Sequence, residues 1–281
     1  MSQSPENGEN VISLQSISRN FLSALQRQHD MLAFSLAGFR TADPKAYEFY
    51  SKVSRVMPAP QLHLPPEQML AYAHGLLLRT TINDLLMLSS ECMNQCHLLC
   101  TLIKERGRRT DIDEAVERRI GESHQAFCRM TLQDKFNKLE EAFEIVCELE
   151  DGIFSLAAAL RVLSRGGLVT NDDITPDGSL TLEFKAMKDF EVPADSPEAL
   201  ENPPPPEGIQ VNSLTAQENL PTKGTRKISK LTDTQRTFKP GEMLNLTDVE
   251  LLGLNITVAK FLDGLFRSVD FYGKNELGEN K

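Results

Sequence analysis

The sequence has no tryptophan, and aromatic residues make up only 6% of its 281 residues. A chain so poor in large rings offers few platforms on which bases or sugars can stack. It also lacks any uninterrupted apolar run of about 18 residues, the length that a membrane-spanning helix needs, so no span is predicted. Met1 to Asn10 is polar, without the basic-then-apolar order of a secretory signal. A cytoplasmic location is therefore expected, with the five cysteines kept as thiols. In that compartment the glycosylation patterns at Asn245-Leu-Thr247 and Asn255-Ile-Thr257 carry no meaning. There is no glycine-rich phosphate loop, no nucleophile elbow and no Cys-x-x-Cys knuckle. Positive charge is in deficit too: 30 basic residues face 40 acidic ones, a net charge of -10. Such a chain does not attract nucleic acid as a whole, and any contact with RNA or DNA requires a local basic patch.

The composition is otherwise that of a globular protein, with 40% hydrophobic and 25% charged residues. The length suits one large domain or two small ones. Apolar periodicity predicts helices. The first runs from about Val11 to Phe39, with Leu25, Leu32 and Phe39 on one row. A short second helix opens at Asp43-Pro44 and ends near Met57, followed by a proline-punctuated connector to Pro66. The third runs from Pro66 to about Ile103. Leu78, Leu85, Cys92 and Leu99 form one row, and other apolar residues cover its remaining faces, as in a helix buried in a bundle. The fourth starts near Asp111, breaks near Gly121 or Thr131, and continues to about Ser164 along the row Leu139, Val146, Ile153 and Leu160.

Beyond Gly166-Gly167 the pattern changes. Leu168-Val169 and Leu180 to Phe184, on either side of Asp177-Gly178, predict a small β-hairpin. Residues 189–240 read as a disordered insertion, first acidic and proline-rich, then basic, with Lys223, Arg226, Lys227, Lys230, Arg236 and Lys239 against the single acid Asp233. A short strand over Met243–Leu246 and a capping box of Thr247 and Glu250 introduce a terminal amphipathic helix that packs back on the bundle. The expected organisation is a disordered tail over 1–10, a helical bundle with hairpin over 11–188, the insertion, and the strand and helix of 241–281. The fold class is mainly α, a multi-helix bundle with a small β-hairpin appendage.

Two constellations carry candidate chemistry. Cys92, Cys96 and Cys100 share a helix face, with His97 alongside, and a neighbouring helix offers His124 and Cys128. Together these are candidate metal ligands. Buried free cysteine is also an ordinary small hydrophobe, and that reading is preferred, so no metal or cofactor is assigned. Arg119 and His124 have a spacing used by metal-independent ribonucleases. There a histidine transfers the proton of a ribose hydroxyl and an arginine holds the phosphate charge. They are the candidate catalytic pair.

The segment Ser155-Leu-Ala-Ala-Ala-Leu-Arg-Val-Leu-Ser164, followed by Arg165-Gly-Gly-Leu-Val169, resembles the last core helix of HEPN-type helical bundles. In that family an Arg-polar-x-x-x-His motif is commonly followed by a glycine turn and a strand containing valine. Phe238-Lys-Pro-Gly-Glu-Met-Leu-Asn-Leu-Thr247 is similar to the strand-then-helix tail of some members. The resemblance covers Pro66 to Phe271. It places Ser164 where the family's catalytic histidine would stand and Ala159 where its arginine would stand. It thus implies the fold without the usual ribonuclease site, with Arg161 and Arg165 left as candidate phosphate contacts. The expected function is a non-catalytic binding or regulatory module that meets a protein partner or a second copy of itself as a dimer. RNA is the alternative partner, and no membrane is expected. A HEPN-type ribonuclease and a Cys/His metal-binding helical protein are the alternative functions.

Overall fold

The computed structural model describes residues 13–43, 45–46, 65–108, 113–193, 196 and 225–278. The amino-terminal tail, most of the second expected helix and its connector, and most of the acidic proline-rich stretch lie outside the described residues. Among those described, the chain forms six helices and one two-stranded antiparallel sheet, the mainly α class expected from its periodicity. The helices are α1 (Leu14–Arg40), α2 (Pro66–Arg108), α3 (Glu114–Cys128), α4 (Leu132–Phe143), α5 (Glu150–Ser164) and α6 (Asp248–Leu277). The strands are β1 (Leu180–Pro193) and β2 (Thr225–Phe238). No described helix is long and apolar enough to cross a membrane.

Local chemistry sets the helix ends. Pro66 opens α2 at the position where its fixed φ fits and its missing N–H is not needed. The row Leu78, Leu85, Cys92 and Leu99 is buried along α2. Leu76 and Met87 are exposed, so α2 is not covered on all faces as its composition implied. Asp113 caps α3 by accepting from the Val116 amide at 2.8 Å. Thr131 caps α4 through the Asp134 amide at 3.2 Å.

The fourth expected helix, from about Asp111 to Ser164 with one break near Gly121 or Thr131, is three helices. One break falls at Thr131, while Gly121 lies within continuous helix. The second break is set by Glu144 and Leu149, two non-glycine residues with φ of 58° and 65°. The left-handed region costs an L residue about 1 kcal/mol, so a local propensity reading does not place a break there. The seven-residue row conceals it as well, because its member Val146 is 64% exposed and takes no part in a seam.

The chain divides into two compact units. One comprises residues up to Arg27, Asp84–Glu150 and Val258 onward; the other comprises Gln28–Asn83 and Asp151–Thr257. α1, α2 and α6 each contribute to both.

The first unit is a helical bundle. Its core includes Phe127, Phe136, Leu139, Ile145 and Phe261, all buried. Phe136 meets Phe261 edge-on at 5.8 Å, and Phe143 meets Tyr272 in the same way at 5.3 Å. Lys104 closes the end of α4 by donating to the Ala142 carbonyl at 2.9 Å.

The second unit is built around the β ribbon. Leu180 pairs with Phe238 and Pro193 with Thr225, an unbroken register of 14 residues on each strand. Leu180, Leu182, Phe184 and Ala186 alternate as the buried face of β1. The outer edge of β1 lies directly on helix backbone. The Glu183 amide donates to Ser155 Oγ of α5 at 3.1 Å, and the Lys185 amide donates to Thr257 Oγ1 of α6 at 2.8 Å. Gly152 and Gly253 make this approach feasible, since a Cβ on Gly253 would stand 2.5 Å from the Lys185 carbonyl oxygen. The capping box is present: Thr247 Oγ1 accepts from the Glu250 amide at 3.3 Å, and Glu250 accepts from the Thr247 amide at 2.8 Å. Arg40 and His74 both reach Asp248 in the first turn of α6, at 2.9 and 3.4 Å.

The ribbon corrects two expectations. The hairpin expected between Leu168 and Phe184 does not form. Val169 instead donates to Glu242 and Leu244 donates to Gly167, at 3.0 and 2.8 Å, so this segment pairs with Gly241 to Leu244. Only an isolated bridge between Leu168 and Met243 stands in place of the expected short strand. Asp177-Gly178 forms a local turn in which Asp177 accepts from the Ser179 amide at 3.0 Å. Both flanks of the insertion read as disordered, 189–193 and 225–238, are strand. The basic run that includes β2 suggests a solvated linker, whereas the partners that define its register lie far off in sequence. Lys185 pairs with Asp233, Thr181 meets Thr237 at 3.2 Å, and Gln235 donates to Glu183 at 2.8 Å.

Candidate functional site

The cysteine stripe of α2 lies inside the first unit. Cys92, Cys96 and Cys100 are buried, as is Cys147 beyond α4. The neighbouring Cys92 thiol, then burial, pushes the Cys96 thiol well above its ordinary range. Burial raises Cys100 strongly, and burial together with nearby Glu150 pushes Cys147 up to about 12. The Cys96, Cys100 and Cys147 thiols stay protonated at neutral pH, and all four buried cysteines pack as small apolar groups. Among the described residues, no three His, Cys, Asp or Glu side chains gather as a metal ion would require. The stripe and the pair His124 and Cys128 are therefore not assembled into one ligand set.

His97 faces α3. Its ring stacks on Phe127 at 4.0 Å, meets Phe143 edge-on at 5.5 Å, and lies 6.4 Å from the His124 ring. Burial, followed by the electrostatic influence of His124 and Lys138, lowers its pKa to about 4, so it is neutral at physiological pH. Its Nδ1 is buried without a hydrogen-bond partner. One turn along α3 from the half-buried His124, the exposed Cys128 places its sulfur 3.6 Å from His124 Nε2 and 3.9 Å from Nδ1.

The residue that sequence reasoning missed is Lys135 of α4. It is 3% exposed, and its ammonium donates to Ser90 Oγ at 2.7 Å and Asn94 Oδ1 at 2.9 Å. It also stands 5.7 Å over the Phe127 ring. Burial lowers its pKa, while Cys128 and Glu91 act the other way. Asn94 is oriented by donating to the Glu91 carboxylate at 2.9 Å. A signal existed in the sequence: Lys135 is one turn before Leu139 and adjacent to Phe136, on the apolar face of α4.

The other candidates are placed as follows. Arg119 pairs with Glu105 at 3.8 Å. It is five residues from His124 on one helix, which sets the two about 140° apart around the axis. The structure thus does not bring them together as a base and phosphate clamp. In the second unit, Arg165 forms an ion pair with Asp173, and its Nε donates to the Arg161 carbonyl at 3.4 Å. Ser164 donates to the Leu160 carbonyl at 2.7 Å, and Ala159 is buried. Gly166 and Gly167, with φ of 96° and 84°, end α5, and the Gly167 amide returns to the Val162 carbonyl at 3.0 Å. Beside this end lies an open cavity of about 310 Å³, lined by Arg79, Thr80, Asn83, Leu160 and Ser164. Comparison with known proteins finds no matching family model, no similar curated protein and no similar solved structure.

Proposed function

We propose that this chain is a non-catalytic, HEPN-like helical binding module whose partner is a protein, and that the β ribbon is the element that engages it. The observation that carries this reading is the contrast between the two halves of the ribbon. Up to Ala186, β1 is buried on its inner face and hydrogen-bonded to α5 and α6 along its outer edge. Beyond it, Met187, Phe190 and Leu231 expose apolar side chains, with Met187 directly opposite Leu231. The sheet has only two strands among the described residues, so β2 offers a strand edge, along which Lys230 and Arg236 outnumber Asp233. A basic edge repels a second copy of itself and favours an extended acidic segment added as a third strand. Among the described residues, the candidate catalytic and phosphate-contacting side chains do not gather, which supports the non-catalytic half of the reading. Arg119 and Arg165 are engaged by Glu105 and Asp173, and Ser164 and Ala159 supply neither imidazole nor guanidinium.

The test has two arms. Pure full-length protein is incubated with mixed single-stranded RNA without divalent metal. No cleavage is expected, and cleavage that disappears in His124→Ala would overturn the reading in favour of a ribonuclease. A photo-crosslinking residue is then placed at Leu231 or, as a control, at the exposed Arg267, in the cells that make the protein. A discrete protein adduct is expected from position 231 alone. Equal adducts from both positions would remove the ribbon as the binding element. Light scattering across concentration tells a second copy from a different partner.

A further inference from the structure

We propose that the ribbon takes its partner as a third strand along β2, bonded through the odd-numbered residues Ser229 to Gln235, and selects one large apolar side chain placed beside Leu231. This rests on the reading of the ribbon as a protein-binding element. It adds the edge, the register and the side chain that the bound segment must supply.

The edge follows from where the backbone bonds go. Along an antiparallel pair, alternate residues turn their N–H and C=O towards the neighbouring strand, and the residues between them turn outward. The amides of Glu183 and Lys185 donate outward, to Ser155 Oγ and Thr257 Oγ1, so the odd-numbered residues of β1 face away from β2. Lys185 stands opposite Asp233 and Met187 opposite Leu231, so the odd-numbered residues of β2 face outward on the other side. Among the described residues, no backbone carbonyl accepts from the amides of Ser229, Leu231, Asp233 or Gln235. The corresponding edge of β1 is closed by helix up to Lys185, and the strand ends at Pro193. β2 therefore offers the longer run of open main-chain groups.

The side chain follows from the outer face, which the odd-numbered residues of both strands share. There Thr181 meets Thr237 at 3.2 Å, Gln235 donates to Glu183 at 2.8 Å, Lys185 pairs with Asp233, and Ser229 donates to Asp189 at 2.6 Å. Each of these pairs satisfies itself within the ribbon. Between the last two lies Met187 opposite Leu231, 42% and 36% exposed, the one apolar pair in the run. An apolar side chain on a third strand, beside Leu231, extends that row and shields it from water. Its neighbours two places away lie beside Ser229 and Asp233, where polar side chains fit. The occupant is thus an extended segment of another protein, with a large aliphatic residue flanked at alternate positions by polar ones.

The test titrates the full chain with the nonapeptide Thr-Glu-Thr-Glu-Ile-Glu-Thr-Glu-Thr, or with the same peptide carrying threonine for its isoleucine. Amide hydrogen exchange is read by NMR. In the free chain, the Leu231 and Asp233 amides should exchange faster than those of Lys230 and Thr232, which face β1. The isoleucine peptide should slow Ser229, Leu231 and Asp233 and leave Met187 and Asp189 unchanged. It should bind wild type about fivefold tighter than the threonine peptide does. The two should bind Leu231→Thr equally, at an exposed strand position that suits threonine. Faster exchange at Lys230 and Thr232, slowing at Met187 and Asp189, or an isoleucine preference kept by Leu231→Thr would each overturn the proposal. Protection of the same amides by concentration-dependent dimerisation, without peptide, would overturn it in favour of a second copy. Absence of any slowing would overturn it too. A photo-crosslinked adduct at position 231 would then leave the wider reading of the ribbon standing, and loss of both would remove that reading as well.

Discussion

His97 links the stability of the first unit to pH. Its folded pKa is about 4 against an ordinary 6.5, because burial, then the electrostatic influence of His124 and Lys138, disfavours the imidazolium. The unfolded chain takes up this proton near 6.5, and the folded chain does so only near 4. The stabilisation is therefore complete above the upper value and is lost as pH falls through the window between them. His97→Phe places a ring of similar size between Phe127 and Phe143 and removes the titration. We expect the Tm of the wild type to fall more steeply than that of the variant as pH is lowered from about 7 to about 4.5, by differential scanning calorimetry. Carboxylates lower both curves, so the difference between them is the readout. Parallel curves would show that His97 is not desolvated as the structure places it.

Asn255 poses the opposite question at the same scale. It is 2% exposed on α6, and neither atom of its amide has a hydrogen-bond partner. Burying an unpaired amide costs about 1–3 kcal/mol. Asn255→Leu, close in volume and better in helix propensity, should therefore raise stability by about 1–2 kcal/mol in chemical denaturation. A loss of stability would reveal a partner for the amide. The burial of Asn255 and Thr257 also removes the second glycosylation pattern as an acceptor in the folded chain.

At the scale of elements, the glycines of the helices separate space from propensity. Gly253→Ala puts a Cβ 2.5 Å from the Lys185 carbonyl oxygen, a backbone atom on the outer edge of β1 rather than a yielding side-chain end. Displacing it costs about 1–3 kcal/mol, more than the gain of about 1 kcal/mol from helix propensity. Net destabilisation is expected, with weaker protection of the Lys185 amide in hydrogen exchange, because its bond to Thr257 is disturbed. Gly75→Ala in α2 meets nothing within 4 Å, and its expected effect is a gain of about 0.5–1 kcal/mol. Opposite signs at two helical glycines are the discriminating result.

The same elements show what the sequence made legible. Capping is written locally, so Thr247 with Glu250, Thr131 and the proline start of α2 were readable within a few residues. The break after α4 was not, because Glu144 and Leu149 adopt conformations that their residue types disfavour. Ribbon pairing was hidden for a different reason. Lys185 finds Asp233 48 positions further along the sequence. A closer turn at Asp177-Gly178 offered a false partner. Among the site residues, the burial of the cysteine stripe followed from its place on α2. The contact of His97 with α3 and the anchoring of Lys135 required the packing of one helix on another, which no single periodicity contains.

At the scale of the whole molecule, charge decides between classes of partner. The chain carries a net charge of -10, and its described basic strand β2 already commits Arg236 to Glu250 at 3.3 Å and faces Lys185 with Asp233. Binding to RNA draws its affinity from releasing counterions at phosphates, and each neutralised phosphate requires an uncommitted cation. A chain of this net charge should retain labelled single-stranded RNA weakly at about 50 mM salt and not at about 200 mM, with a shallow slope of log affinity against log salt. An extended acidic peptide added along β2 should lose less, because backbone hydrogen bonds to the strand edge are not screened by salt. Retention of RNA at the higher salt with a steep slope would require a basic surface larger than β2 provides and would move the protein into the nucleic-acid-binding class. Retention that vanishes would leave the ribbon's apolar residues and strand edge as the features to vary, beginning with Met187 and Leu231.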